Sequence, residues 1–317
     1  MKAPARSFAA TARTCWLIVA SIILLLSSSS PAQITITLKN TFIEKYKNLA
    51  TIDATFTVDK AHARPNPPAK DSDIHIAGRA PEVGLPMVAE IMNAASQPAA
   101  VDLIHQIEGS DRTVAMTGAW RLWCEHGGSS EQVQGAKLAK FTTTNPDHVF
   151  EIHPITKLGD SSLSETLHGI EGFQPKDAFQ AFLSYENKKS QISVGPKTTT
   201  IVTTMGGFNY VAFIMEITGD QLEVPDGRFM MAKVHDLEGE VLVHNRRMVF
   251  IKNTPPEQLV HNMAKGSCLS VLGIPRIDLA VISWRTHNAR TRPGVLTWTL
   301  PYEMVIVAAQ RTDCSGE

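Results

Sequence analysis

The chain has 317 residues, four of them cysteines, and a formal net charge of −1. This length suffices for two modest domains or one large one. So few cysteines exclude a disulfide scaffold, and an ordinary hydrophobic core must therefore stabilise the fold.

The N-terminus has the pattern of a secretory signal peptide, residues 1–32. Three basic residues precede an apolar run, Cys15–Leu26, and Ala32 suits signal-peptidase cleavage. The run is shorter than the roughly 20 residues that a spanning helix needs, so we expect export, periplasmic or secreted, without a stable membrane span. An uncleaved N-terminal anchor is the alternative. Cleavage removes three basic residues and leaves a mature charge of about −4, which disfavours non-specific nucleic-acid binding, because that binding depends on neutralising phosphates.

The mature chain keeps three cysteines, Cys124, Cys268 and Cys314. Because the number is odd, at most one internal disulfide forms and one thiol is left over. The sequence does not indicate which two of the three pair.

The first predicted domain, residues 33–160, is mostly β. Apolar and polar residues alternate through Ile52–Val58, as in a half-buried strand. The other predicted elements are, in order, strands at Asp73–Ala77 and Leu85–Met92, a helix at Pro98–Ile107, and strands at Thr113–Cys124 and His148–Lys157.

A linker with a short helix, residues 161–196, precedes a second domain, residues 197–317. Thr254, Pro255 and Glu257 have the pattern of a helix start. The predicted strands of this domain are Tyr210–Ile217, Arg228–Val234, Val241–Ile251, Cys268–Gly273, Ile277–Trp284 and Glu303–Ala309.

Three strands, a helix and further strands are the order of an OB-fold barrel, although other small mixed β folds share it. We therefore predict a mostly β fold with minor α, built as two tandem OB-like barrels. No sequence identity between the halves is visible, so the repeat is expected in architecture only.

Two acid-x-histidine pairs carry the main functional signal. Asp73 and His75 share one face of a predicted strand, as do Glu151 and His153. If the strands lie close together, these four side chains are candidate ligands of a divalent metal cofactor, because carboxylate and imidazole suit zinc, manganese or iron(II). The alternative is that they form ordinary surface hydrogen bonds.

Glu90 and His126 are the candidate catalytic residues near these pairs. A histidine held by an acid can act as a general base. The sequence lacks HExxH, P-loop, G-x-S-x-G and Rossmann patterns, so no reaction is indicated directly.

The same residues carry a resemblance to small exported bacterial proteins of uncharacterised function. Those proteins share an Asp-x-Asp-x-His strand, a Met-x-x-Glu-Ile strand and a final Glu-Leu-His-Pro-Val strand. Similar stretches here are Asp71–Ile76, Met87–Ile91 and Glu151–Ile155. The resemblance covers Asp71–Lys157 and implies that these acids and histidines belong to one unit, without implying an activity.

The stretch from Arg79 to Glu82 is similar to part of the thermonuclease family, secreted OB-fold enzymes that use calcium. This resemblance implies that Glu82 is a base. However, Arg79 replaces the family's aspartate, and the Gly-Asp-Thr metal strand is missing.

A basic, aromatic segment between the last two predicted strands is a second candidate site. The loop at this place in an OB fold commonly binds oligonucleotides or oligosaccharides. Its alternative is a solvated basic loop. The candidate ligand-binding residues, chosen for charge and stacking, are Trp284, Arg285, Arg290, Arg292 and Trp298.

The sequence therefore favours an exported binding protein whose ligand and partners it does not identify. One alternative is a metal-dependent hydrolase, such as a nuclease-like phosphodiesterase, that uses the acid and histidine patch. A structural envelope protein without a small-molecule site is the other.

Overall fold

Strands dominate the part of the chain that the computed structural model describes, residues 32–128, 131–290 and 294–315. The predicted signal segment lies outside the described residues except for Ala32. The strands are β1 Gln33–Lys39, β2 Thr51–Ala61, β3 Ile74–Arg79, β4 Met87–Ile91, β5 Thr113–Leu122, β6 Glu131–Val133, β7 Phe150–Leu158, β8 Ser161–Ser162, β9 Lys189–Val194, β10 Thr198–Thr204, β11 Val211–Ile217, β12 Leu222–Val224, β13 Gly227–His235, β14 Val241–Ile251, β15 Cys268–Ile277, β16 Val295–Thr299 and β17 Tyr302–Thr312. The helices are α1 Asn40–Tyr46, α2 Pro98–Ile107, α3 Ala178–Asn187, α4 Pro255–Val260 and α5 Leu279–Thr286. The predicted fold class, mostly β with minor α, is confirmed.

Strands β2, β3, β4, β5 and β7 close into the first barrel. β2 pairs with β3 and β5, β3 pairs with β4, and β5 pairs with β7. A parallel pairing of β4 with β7 closes the barrel. With α2 between the third and fourth strands, this is OB-fold connectivity. The alternation in β2 places Ile52, Ala54, Phe56 and Val58 in the buried core.

Strands β11, β13, β14, β15 and β17 form a second barrel with the same connectivity. β11 pairs with β13 and β15, β13 with β14, and β15 with β17, while β14 runs parallel to β17. Helix α4 again lies between the third and fourth strands. Thr254 precedes α4 as predicted, but its side chain does not cap the helix. Its hydroxyl donates to the Ile251 carbonyl instead.

A third sheet has no counterpart among the predicted elements. Its strand order is β16-β9-β10-β1-β6. β1 pairs antiparallel with β10 and parallel with the short β6, so the sheet joins strands that are far apart in the sequence. Such pairing depends on long-range contacts that a local pattern does not reveal.

The predicted strand Ile277–Trp284 is wrong. After β15 the chain forms helix α5 instead, because the Asp278 carboxylate accepts a hydrogen bond from the Val281 amide and caps the first turn. Leu279 and Ile282 are then buried with a spacing of three, which is the helical period.

The barrels are joined by two arginines at equivalent positions. Arg121 is the ninth residue of β5, and Arg276 is the ninth residue of β15. Arg121 Nε donates to the Pro275 carbonyl at 3.1 Å, and Arg276 Nη1 donates to the Trp120 carbonyl at 3.0 Å. Each barrel therefore has a buried arginine that donates a hydrogen bond to a backbone carbonyl of the other barrel.

Each arginine also pairs with a glutamate on the last strand of its own barrel. The two barrels thus have similar residues at several equivalent strand positions. The sequence had predicted a repeat in architecture only. The matched residues are Gly118 and Gly273, Arg121 and Arg276, Phe150 and Tyr302, and Glu151 and Glu303.

The Arg276–Glu303 pair predicts a pH dependence of stability. Burial raises the pKa of Glu303 from 4.5 to about 7, although Arg276 opposes this rise. The folded protein therefore favours the protonated carboxyl. The stability that this proton contributes is complete below pH 4.5 and is lost as the pH rises through about 7.

We expect the stability of the Glu303→Gln variant not to fall in this way as the pH rises, because glutamine does not titrate. Urea unfolding at several pH values should show the wild-type free energy of unfolding falling, relative to the variant, between about pH 4.5 and 7. Parallel pH profiles for the two proteins would refute the raised pKa.

Candidate metal centre

The acids and histidines predicted as a site meet on the outer face of the first barrel. Asp73 directly precedes β3, His75 lies within β3, and Glu90 is its register partner in β4. Glu151 and His153 lie in β7, which pairs with β4. Three adjacent strands therefore bring both acid-x-histidine pairs to one patch, together with Glu90.

The intervening residues on these strands point into the barrel. Ile74, Ile76, Phe150 and Ile152 are fully buried members of the hydrophobic core. Because side chains alternate along a strand, the packing of these four residues fixes the polar residues between them on the opposite face.

That outer face is covered by other parts of the chain. Tyr210, just before β11, contacts His153, and the Phe173 ring packs edge-on against the Tyr210 ring at 5.5 Å. As a result, the side chains of Asp73 and His153 are 0% exposed and that of Glu90 is 3% exposed. The patch is an interior site.

Tyr210 fixes the orientation of the His153 ring. The Tyr210 hydroxyl donates to Asp73 Oδ2 at 2.6 Å, and the hydroxyl oxygen lies 2.7 Å from His153 Nε2. Since the single hydroxyl hydrogen points to Asp73, the oxygen accepts the hydrogen of His153 Nε2. The other ring nitrogen, Nδ1, then faces the remaining carboxylates.

Glu90 lies between the two imidazoles. Its Oε2 atom is 3.6 Å from His153 Nδ1 and 3.6 Å from His75 Nε2. Both histidines of the acid-x-histidine pairs therefore contact one carboxylate oxygen. On its other side, the His75 ring stacks on His62 with centroids 4.6 Å apart, and burial, followed by His62, lowers the pKa of His75 to about 4.

Glu151 contacts both His153 and an arginine, because its Oε2 atom lies 3.4 Å from His153 Nδ1. Arg121 donates to its carboxylate at 2.5 Å and to that of Glu125 at 2.8 Å. Burial opposes ionisation of Glu151, but Arg121 and then His148 and His153 outweigh it and hold its pKa well below the usual range. Glu151 is therefore a fixed anion neutralised by an arginine.

Among the described residues, Glu90 and Asp73 have histidines and no arginine or lysine as ion-pair partners. Burial raises the pKa of Glu90 well above its usual value, and it raises the pKa of Asp73. Burial also disfavours a charged His153, but the Glu90, Asp73 and Glu151 carboxylates reverse this effect and raise its pKa well above the usual value. The carboxylates of this centre therefore favour a positively charged group among them.

Several buried atoms in this centre have no hydrogen-bond partner within the part of the chain that the structure describes. They are Asp73 Oδ1, His75 Nδ1, Glu90 Oε2 and His153 Nδ1. Native proteins leave few such atoms, so a cluster of them calls for an explanation. Asp73, Glu90 and His153 can each offer one ligand atom, and these atoms lie within 4.8 Å of one another. The group therefore keeps Asp73 and His153 of the four predicted ligands, omits His75 and Glu151, and adds Glu90, which was predicted as a base.

The other predicted catalytic residues lie outside this group. His126 is one-third exposed, stacks on His148, and lies 3.9 Å from Glu125 at the solvent-facing end of the network. The Glu82 carboxylate accepts a hydrogen bond from the Thr55 amide at 3.1 Å, and so has a structural partner.

Three of the five predicted ligand-binding residues line a cleft beside the second barrel. Trp284 and Arg285 on α5 and Trp298 on β16 line this cleft of about 640 Å³. Arg290 pairs with Glu44 at 2.7 Å, and Arg292 lies outside the described residues.

Comparisons with known proteins do not assign the chain to a family. No family model matches it, and no curated protein matches it. Among solved structures, the single-stranded DNA-binding protein from Thermus aquaticus is 10% identical, with 83% of this chain and 91% of that chain covered at a TM-score of 0.22. A murine DNA-binding protein bound with double-stranded DNA is 9% identical, with coverage of 83% and 98% and a TM-score of 0.22. At these scores the similarities support no functional inference.

Proposed function

We propose that this chain is an exported binding protein whose first barrel holds a divalent transition-metal ion. The supporting observation is that Asp73, Glu90 and His153 are buried together with ligand atoms within 4.8 Å of one another. Each also has a polar atom without a hydrogen-bond partner among the described residues. One ion bound by these three residues would supply the positive charge that the carboxylates favour.

The donor set fits zinc, manganese or iron(II) better than calcium. Imidazole nitrogen combined with carboxylate oxygen suits these transition metals, whereas calcium takes about 6–8 oxygen ligands. Tetrahedral zinc with bonds of about 2.0–2.2 Å places its ligand atoms roughly 3.3–3.6 Å apart. The separation of 3.6 Å between His153 Nδ1 and Glu90 Oε2 matches this spacing.

Two neighbouring side chains suit supporting roles. His75 Nε2, at 3.6 Å from Glu90 Oε2, can complete a fourth position. Tyr210 holds the Nε2–H of His153, which leaves Nδ1 to bind the ion. Ligand histidines in metal sites usually have their second nitrogen fixed by such a partner.

Burial favours binding over hydrolysis at this centre. The side chains of Asp73, Glu90 and His153 are at most 3% exposed, so a substrate cannot approach an ion held among them. Catalytic zinc sites keep one position open to substrate, whereas structural sites are closed.

Export remains part of the proposal and has indirect support. Cys268 and Cys314 form a disulfide, while Cys124 is buried and free. This matches the predicted maximum of one disulfide and one remaining thiol. Structural disulfides persist mainly in oxidising compartments outside the cytoplasm.

The Glu90→Gln substitution tests metal binding without removing the fold. Because burial favours the neutral form of Glu90, glutamine should preserve the stability of the metal-free protein. Equilibrium dialysis against zinc with elemental analysis should show one ion per wild-type chain and at least about a 100-fold weaker affinity in the variant.

An exposed histidine provides the matched control. His168→Gln changes a solvent-facing imidazole and should leave zinc uptake at the wild-type level. Equal zinc affinity in the wild type and in a folded Glu90→Gln variant would refute the proposed centre.

A further inference from the structure

The cleft beside the second barrel is a separate site that the metal centre does not use. Its walls come from the chain after α1, from α5 and from β16. The lining residues are Lys47, Asn48, Ala280, Ser283, Trp284, Arg285, His287, Asn288 and Trp298. Its volume of about 640 Å³ lies in the range of small-molecule sites.

Trp284 is the most unusual residue of this cleft. It is 77% exposed, the largest value among the exposed large hydrophobic side chains of the described residues. Nothing in the fold requires an indole here, because the buried side of α5 is formed by Leu279, Ile282, Ser283 and Thr286. An exposed tryptophan at a cleft edge provides a flat apolar surface for stacking a ring.

The second indole of the cleft, that of Trp298, lies beneath an arginine. The Arg285 guanidinium lies 5.2 Å from the centroid of the Trp298 ring. Among the ion pairs found in the described residues, none involves Arg285. Its charge is therefore not offset by a described carboxylate. The Trp298 ring and the Thr299 carbonyl, to which Arg285 Nη1 donates at 3.5 Å, hold the guanidinium in position.

The other cations at the cleft share one acid. Glu44 accepts from Lys47, Arg290 and Ser283 at 2.7–2.8 Å. The Lys47 contact, followed by those of Arg290 and Ser283, lowers the pKa of Glu44 to about 2 against the effect of burial. One carboxylate thus offsets Lys47 and Arg290, so the cleft retains a small excess of positive charge.

We infer that this cleft binds an acidic saccharide through a hexuronic-acid residue. The apolar face of a sugar ring suits the Trp284 indole, and a single carboxylate suits Arg285. His287 offers a hydrogen-bonding group for a hydroxyl, and the Ser283 oxygen, whose hydrogen points to Glu44, can accept one. A nucleic-acid strand fits less well, because its affinity depends on many phosphate contacts and the described residues give this cleft few cations.

The test uses an oligogalacturonide, a neutral oligosaccharide of equal length and an oligothymidylate. Calorimetry should show that the wild type binds the acidic sugar at least about tenfold more tightly than the neutral one. Trp284→Ala should weaken binding of both sugars about tenfold. Arg285→Gln should abolish the preference for the acidic sugar while retaining weak binding of both.

Controls separate this site from the metal centre and from general charge effects. Arg64→Gln removes an exposed arginine elsewhere and should leave the preference unchanged, as should Glu90→Gln. Since Trp284 and Arg285 lie at the surface, their variants should remain folded. Tighter binding of the oligothymidylate, equal binding of the two sugars by the wild type, or an unchanged acid preference in Arg285→Gln would overturn the inference.

Discussion

The Arg121→Leu variant should lose about 3–5 kcal/mol of unfolding free energy, the cost of removing one member of a buried ion pair. The Arg121 side chain is 0% exposed and that of Glu151 is 5% exposed. Without the guanidinium, Glu151 remains as a buried anion close to His153 and loses the interaction that keeps its pKa low. The hydrogen bond to the Pro275 carbonyl of the second barrel is also lost.

Urea unfolding followed by far-UV circular dichroism measures this effect. Adding Glu151→Gln to Arg121→Leu should recover part of the loss, because the uncompensated charge is then absent. The exposed pair of Lys60 and Glu108 is the control, and Lys60→Leu should cost about 0–1 kcal/mol. A loss below about 1 kcal/mol for Arg121→Leu would show that this buried pair does not stabilise the fold.

The Tyr210→Phe variant should lose both stability and metal affinity. Its hydroxyl is the hydrogen-bond partner of Asp73 Oδ2 and His153 Nε2. Leaving these buried atoms without that partner should cost about 1–3 kcal/mol of unfolding free energy. The His153 ring also loses its orienting partner, so zinc affinity should fall about 10–100-fold.

Tyr185→Phe is the matched control. Tyr185 is also buried, and its hydroxyl donates to the Phe208 carbonyl at 2.9 Å, away from the proposed ligands. Its removal should lower stability but leave zinc affinity unchanged. If both variants bind zinc equally well, Tyr210 does not position His153.

Much of the fold could be predicted from periodicity. Helix α2 begins at Pro98 and ends at Ile107 as predicted, and the alternation in β2 placed its core residues correctly. Helix α5 was missed because an apolar run with β-branched residues resembles a strand, although Asp278 is a recognisable cap. The third sheet depends on pairing between β1 and β10, which no local pattern reveals.

The candidate site could be predicted in part. The period of two placed Asp73 with His75 and Glu151 with His153 on shared faces, and the structure brings these faces together. The sequence could not show that Tyr210, 137 residues after Asp73 and 57 after His153, would cover both side chains. Nor could it show that Arg121 pairs with Glu151 or that Glu90 is the third member of the group.

Anomalous X-ray scattering at the zinc edge, from crystals grown with stoichiometric zinc, tests the central claim most directly. The account predicts one strong difference peak about 2.0–2.2 Å from His153 Nδ1 and from a Glu90 carboxylate oxygen. Peaks only at exposed histidines such as His168, with no density between β3, β4 and β7, would contradict it.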